Sequence, residues 1–222
     1  MDITWLGHAC FRLRGRDLTI LTDPYEGDDW GYPPLATSAD VVTISNQHPH
    51  HAGLSSVEGQ PRVLRGPGEY ELGGALIWGV RTGARRTSED RPPPPRNTVF
   101  VIQLEELTVC HLGDLTDAPL TTDELGRIKD ADVLLVPVGG YCTINAAQAA
   151  EVVSQVEPKL IVPMHYATPE TRGYLSLDEI DRFCRELGAN ETATRPRLSV
   201  TPSSLPSEPT VVLMEARPLA SR

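Results

Sequence analysis

Ser45-Asn46-Gln47-His48-Pro49-His50-His51 is the stretch on which the reading of this chain turns. It follows the apolar run Val41-Val42-Thr43-Ile44, so it lies where a buried strand hands over to a loop. Three imidazoles within four residues are uncommon by chance, and imidazole is a common metal ligand. The six histidines of the chain occupy four places: His8, the His48/His50/His51 group, His111 and His165. Each place follows a short apolar run. Such a pattern predicts strand ends converging on one pocket, because α/β folds build their sites in the loops at strand ends.

Outward from this stretch, residues 2–6, 9–14 and 17–22 read as short strands with turns at Gly7-His8 and Arg14-Gly15-Arg16-Asp17. The third strand ends at Asp23-Pro24, where Asp23 reads as a turn former. A loop rich in Gly, Pro and acid fills 25–38, and further strands are expected over 40–45, 62–64, 70–72 and 75–80. Residues 83–97 break the pattern, because their four consecutive prolines favour a stiff extended surface loop.

The opening pattern then recurs. A hairpin over 98–104 and 107–110 runs into His111-Leu112-Gly113-Asp114, much as strands over 10–13 and 18–21 run into Thr22-Asp23-Pro24. This predicts two related halves. Buried strands are expected over 132–138 and 159–163, the second delivering Met164-His165-Tyr166. An Ala/Val stripe predicts a helix over 145–156. Capping-box spacings, Thr121 with Glu124 and Ser176 with Glu179, predict two more helix starts, the second helix ending at Gly188. Residues 189–207 read as irregular and 210–215 as a last strand. The class is α/β with two sheets, and the expectation is a single domain over 1–222.

Composition narrows the function. A formal net charge of −10 repels phosphate backbones, and the basic cluster Arg81, Arg85 and Arg86 is small, so nucleic acid is not an expected partner. Aromatic content of 5% also argues against base stacking. No apolar run approaches the ~18 residues of a membrane span, and no basic leader precedes the first strand, so a cytoplasmic protein is expected. Cys10, Cys110, Cys142 and Cys184 form no CxxC pair and read as reduced thiols. A symmetric homo-oligomer is the general expectation.

Metal binding requires several ligands held close together by different elements. His48, His50, His51, Asp114 and His165 are the candidates, each just after an apolar run. Ile3-Thr4-Trp5-Leu6-Gly7-His8-Ala9-Cys10-Phe11, Thr22-Asp23-Pro24, the histidine run, Cys110-His111-Leu112-Gly113-Asp114, Leu134-Leu135-Val136-Pro137-Val138-Gly139-Gly140 and Ile161-Val162-Pro163-Met164-His165-Tyr166 together resemble the metallo-β-lactamase superfamily. Within it, the chain looks like the small bacterial branch of L-ascorbate-6-phosphate lactonase and its relatives.

The resemblance implies a four-layer αββα sandwich and hydrolysis of a small ester, lactone or phosphorylated substrate with one or two metal ions. Laid on the family's His-x-His-x-Asp-His motif, this chain has Asn46 in the place of the first histidine and His50 in the place of the aspartate. Another family histidine has no counterpart at Ala84. The first metal position keeps only His48 and Asp114. The second has His50, His51, Asp114 and His165, a tetrahedral set that suits one zinc ion, with manganese as the alternative. His8, Asp23 and His111 are candidates to orient the ligands, although His8 also reads as an ordinary buried, hydrogen-bonded histidine. His50 or His48 would act as general base, and Tyr166 or Arg81 would stabilise an oxyanion. The alternative is an inactive binding or regulatory module on the same fold.

Overall fold

A computed structural model describes residues 1–26, 31–83, 96–128, 130–171, 176–189 and 193–217. In chain order the strands of the first half are β1 (Asp2–Gly7), β2 (Cys10–Arg14), β3 (Thr19–Thr22), β4 (Thr37–Ser38), β5 (Val41–Ile44), β6 (Val57–Glu58) and β7 (Arg62–Arg65). The second half has β8 (Gly68–Leu72), β9 (Ala75–Thr82), β10 (Asn97–Leu104), β11 (Leu107–His111), helix α1 (Thr122–Ile128), β12 (Val133–Pro137), helix α2 (Ala146–Val156) and β13 (Leu160–Met164). Helix α3 (Ile180–Glu186), β14 (Leu198–Ser199) and β15 (Thr210–Val211) complete the chain.

The two sheets have orders β14-β1-β2-β3-β5-β7 and β8-β9-β10-β11-β12-β13-β15. Each begins with three antiparallel pairings and continues with parallel ones. The related halves expected from the recurring hairpin are therefore present as matched topology, with β3 facing β11 and β5 facing β12 in the comparison. Because β1 and β3 are both antiparallel to β2, and β5 is parallel to β3, the carboxyl ends of β1, β3 and β5 lie on one edge. The carboxyl ends of β11, β12 and β13 share an edge of the second sheet in the same way. Backbone hydrogen bonds join these edges: His165 N donates to His8 O (3.1 Å), and Thr98 N donates to Ser45 O (3.0 Å).

Alternation of side chains sorts the first sheet into two faces. Ile3, Trp5, Phe11, Leu13, Ile20 and Val41 enter the main core with the second sheet, whereas Leu6, Cys10, Leu21, Val42 and Ile44 face a smaller core. That smaller core is roofed by Tyr25, Tyr32 and Leu35 from the connection after β3. Among the described residues the outer layer over the first sheet is thus loop rather than α-helix. Among the described residues the α-helices α1, α2 and α3 all lie in the second half of the chain.

Helix α2 shows why its sequence is helical. Asn145 and Gln148 form the reciprocal cap, each side chain bonding the other's backbone N–H at 3.0 Å. Ala146, Ala149, Val152, Val153 and Val156 form the buried stripe, and left-handed Glu157 ends the helix before Pro158. Thr121 and Glu124 cap α1 as expected. Ser176 does not cap α3, which starts at Ile180. Asp178 instead donates its N–H to Gly139 O and accepts from Ala167 N, which holds 176–179 extended. The tail 189–207 also departs from expectation, because Leu198–Ser199 extends the first sheet beside β1. The proline-rich loop, with Ala84, Arg85 and Arg86, lies outside the described residues apart from its ends.

Candidate metal centre

Each element on the shared edge delivers at least one chemically capable side chain. β1 ends in Gly7-His8, β3 in Asp23, β5 in the histidine run, β11 in the segment to Asp114, β12 in the loop carrying Cys142, and β13 in His165. Several of these residues have left-handed backbone: His8 (φ 53°), Asp23 (φ 38°), Tyr141 (φ 60°) and His165 (φ 55°). Non-glycine residues rarely adopt that conformation, and strained positions cluster at functional sites. After β5 the chain folds into a tight turn, with His51 N donating to His48 O (2.8 Å) and His48 N to Asn46 Oδ1 (2.9 Å). This turn leaves His48 exposed and carries His50 and His51 inward.

The result is a stack of imidazoles. The His8 ring lies 3.9 Å from His165, 4.9 Å from His50 and 5.3 Å from His51, and His51 stacks on His165 at 5.6 Å. One ring nitrogen from each of His8, His51 and His165 falls within 4.8 Å of the other two. Ligand atoms of Asp114, Cys142 and His165 make a second such group. His51 is the best anchored: its Nδ1 meets Asp23 Oδ2 at 2.7 Å, while Nε2 faces Asp114 Oδ1 at 3.8 Å. Asp23 also accepts from Ser45 N (2.7 Å) and from the Ser45 hydroxyl.

Asp114 is held by two asparagines. Asn46 Nδ2 donates to its Oδ2 at 2.7 Å, and Asn97 Oδ1 accepts from its N–H at 3.0 Å. Gly113 makes this approach possible: at φ 60° its hydrogen faces Ser45, where a Cβ would lie 2.3 Å from the serine Cβ.

Electrostatics separates the histidines. Burial, reinforced by the neighbouring imidazoles, holds His8 and His165 well below the ordinary histidine range. Burial likewise lowers His50 to about 3 and lowers His111. Burial would lower His51 too, but the Asp23 hydrogen bond and the charges of Asp23 and Asp114 outweigh it and raise its pKa. Desolvation raises Asp114.

These neutral, buried rings suit a cation. Both ring nitrogens of His165, Nε2 of His8 and Oδ1 of Asp114 are buried with no hydrogen-bond partner among the described residues. An unsatisfied buried polar atom costs about 1–3 kcal/mol, so a cluster of them calls for a common partner. A divalent cation is the partner whose ligand chemistry these groups share.

The structure therefore brings His51, Asp114 and His165 together as the sequence suggested. It adds His8, whose Nε2 has no hydrogen-bond partner among the described residues, unlike the satisfied nitrogen expected of an ordinary core histidine. It adds Cys142, which sequence reading left among the reduced thiols. Asp23 is a turn residue and also the partner that orients His51. His50 is buried against the edge of His8, with His48 at 4.4 Å on its exposed side. Tyr166 packs on Trp5 at 5.2 Å, and the ionisable groups acting on its phenol are Tyr32, Cys184 and Glu170. Arg81 is exposed on β9 opposite Thr98. His111 bonds Ala9 O through Nε2 at 2.9 Å. A groove of about 460 Å³ around Trp78, Val101 and Arg127 lies away from these histidines.

A family model described as Beta-lactamase superfamily domain matches residues 2–165. The chain belongs to the beta-lactamase superfamily. Its relatives include a UPF0173 protein of Pyrococcus furiosus, 33% identical and covering 76% of this chain and 84% of the relative. A UPF0173 metal-dependent hydrolase of Salinibacter ruber is 31% identical over 87% of this chain and 99% of its own length. Among solved structures, a protein of Thermotoga maritima assigned to the Zn-dependent hydrolases of the metallo-beta-lactamase superfamily superposes with a TM-score of 0.76. It is 39% identical and covers 96% of this chain and 98% of its own. These relatives place the chain in the UPF0173 branch of the superfamily, whereas the likeness to the L-ascorbate-6-phosphate lactonase branch stays an expectation. No helix among the described residues is long and apolar enough to cross a membrane.

Proposed function

We propose that this superfamily member is a metal-dependent hydrolase of a small ester, lactone or phosphorylated substrate, built around one divalent cation. The observation that carries the reading is the convergence of buried, unpartnered ligand atoms from His8, His165 and Asp114 beside His51. The residues assigned to the cation are His8, His51, His165 and Asp114. When bound, a divalent cation there supplies Lewis acidity and lowers the pKa of a bound water toward ~7.

The chain's own groups do the rest. Asp23 accepts a hydrogen bond from His51 Nδ1–H and so keeps the Nε2 lone pair directed into the site. Asn46 donates to Asp114 Oδ2, which fixes the carboxylate and leaves Oδ1 facing His51. His48, at the exposed mouth, is assigned to accept the proton of the attacking water and pass it to solvent. His50, neutral and buried between His48 and His8, is assigned to orient both rings. Tyr166 is assigned to packing on Trp5. Asn46 gives a neutral amide where the family motif has a ligand, which supports a single cation rather than a pair. The same feature supports the alternative, a binding module that kept the pocket without catalysis.

One experiment separates these readings. Protein purified without added metal or chelator is assayed for metal, then screened with ester, lactone and phosphodiester substrates before and after chelation. Bound metal with chelator-sensitive hydrolysis is the expected result. Bound metal with no turnover across all three classes supports the binding module. Less than about a tenth of an equivalent, unrescued by added Zn²⁺ or Mn²⁺, removes the metal centre altogether.

A further inference from the structure

The loop between β12 and α2 is built to bring one thiol to the metal centre. Gly139 lies against the backbone of His165, where a Cβ would come within 2.1 Å of the His165 carbonyl oxygen. Gly140 and Tyr141 then both adopt left-handed backbone, φ 63° and 60°, and reverse the chain. The far side of the turn is tied down by Ile144 N, which donates to Leu115 O at 2.9 Å, and by Gly140 N, which donates to Ile144 O at 3.2 Å. One end of the loop is thus fixed to His165 and the other to the residue after Asp114. Cys142 lies between them, exposed to solvent, with its sulfur within 4.8 Å of ligand atoms of both Asp114 and His165. His165 is 1% exposed and has no hydrogen-bond partner at either ring nitrogen among the described residues. The matched halves give this loop added meaning: it follows β12 as the histidine run follows β5.

We infer that Cys142 is a thiolate ligand of the metal centre, binding on its solvent side beside Asp114 and His165 and selecting a thiophilic divalent cation such as Zn²⁺. The inference rests on the pocket being a metal centre and adds a ligand that the superfamily motif does not contain. On binding, the S–H bond breaks, a sulfur–metal bond forms and the proton leaves to solvent, with no change of oxidation state. Thiolate favours zinc, cadmium and cobalt over the hard cations Mn²⁺ and Mg²⁺.

The test titrates metal-free protein with Co²⁺ and reads the visible ligand-field bands, which report binding, and the near-ultraviolet sulfur-to-cobalt charge-transfer band, which reports a thiolate. Both are expected in the parent. Cys142→Ala is expected to keep the ligand-field bands and lose the charge-transfer band. It should also weaken Zn²⁺ binding by about tenfold or more, at least the loss that removal of an outer partner brings. Cobalt binding with no charge-transfer band, or with a band unchanged in Cys142→Ala, overturns the thiolate ligand and leaves the proposed function standing. No cobalt binding at all overturns both. Alkylation of the folded parent gives a check that needs no variant: Zn²⁺ is expected to slow iodoacetamide modification of Cys142, and equal rates with and without Zn²⁺ overturn the inference.

Discussion

Asp23→Asn tests how the site is held together. In the native protein Asp23 accepts three hydrogen bonds, from Ser45 N, the Ser45 hydroxyl and His51 Nδ1, and it is fully buried. An asparagine of nearly the same shape keeps one acceptor oxygen for Ser45 N but places an NH₂ group against two donors. His51 must then accept at Nδ1 and carry its proton on Nε2, the nitrogen that faces Asp114. The expected stability loss is about 1–3 kcal/mol, the scale of one buried polar group left without its proper partner. The larger consequence is for metal. With the Nε2 lone pair lost to a proton, affinity is expected to fall about 10- to 100-fold, as it does when the partner of a ligating histidine is removed. The assay is competition for Zn²⁺ against a chromophoric chelator, with urea unfolding of the metal-free protein in parallel. Unchanged affinity would refute the claim that Asp23 sets the His51 tautomer. Lost stability with unchanged affinity would assign Asp23 to the turn alone.

Three further outcomes are expected. Metal-free protein should lose stability on acidification, because the unfolded chain takes up protons near pH 6.5 on His8, His50, His111 and His165 while the native state resists them. Their contribution is present above pH 6.5 and lost below it; His51 and Asp114, with raised pKa values, act in the opposite sense. The net loss between pH 7.5 and 5.5 should be on the order of 2–4 kcal/mol by urea unfolding, and rising stability on acidification would contradict the burial of these neutral rings. Gly139→Ala should cost about 1–3 kcal/mol and weaken metal binding in the same chelator competition, because its new Cβ meets the His165 backbone rather than a movable side chain. Trp5→Ala should cost about 3–5 kcal/mol in urea unfolding, since Trp5 packs on Phe11 and Tyr166 and donates to His8 O. A loss below 1 kcal/mol, the ordinary scale of a single hydrogen bond, would show that this packing carries little.

The strands were legible because alternation and apolar runs are local signals, and α2 because Asn145, Gln148 and the Ala/Val stripe encode it within one segment. The place of His51, Asp114 and His165 was legible for a related reason: each follows an apolar, strand-like run. The start of α3 was not, because Asp178 is held extended by Gly139 and Ala167, which no local pattern reveals. His8 was undervalued since its unsatisfied Nε2 is visible only when the two sheet edges meet. Asp23 carries a local turn signal, and its expected part in orienting a ligand came from the family resemblance; the structure gives that ligand as His51. Cys142 was missed although a signal existed. Carried one strand further, the recurring hairpin would pair the segment after residues 132–138 with the histidine run, and Gly139-Gly140 has the composition of a turn there.

The central claim is that the cation is held by His8, His51, His165 and Asp114, with the motif residue His48 outside the set. Metal content of His8→Ala, His165→Ala and His48→Ala proteins, purified alongside the parent without added metal, tests it most directly. The account predicts about one equivalent in the parent and in His48→Ala, and little in His8→Ala and His165→Ala. A full equivalent in His8→Ala together with its loss in His48→Ala would contradict it.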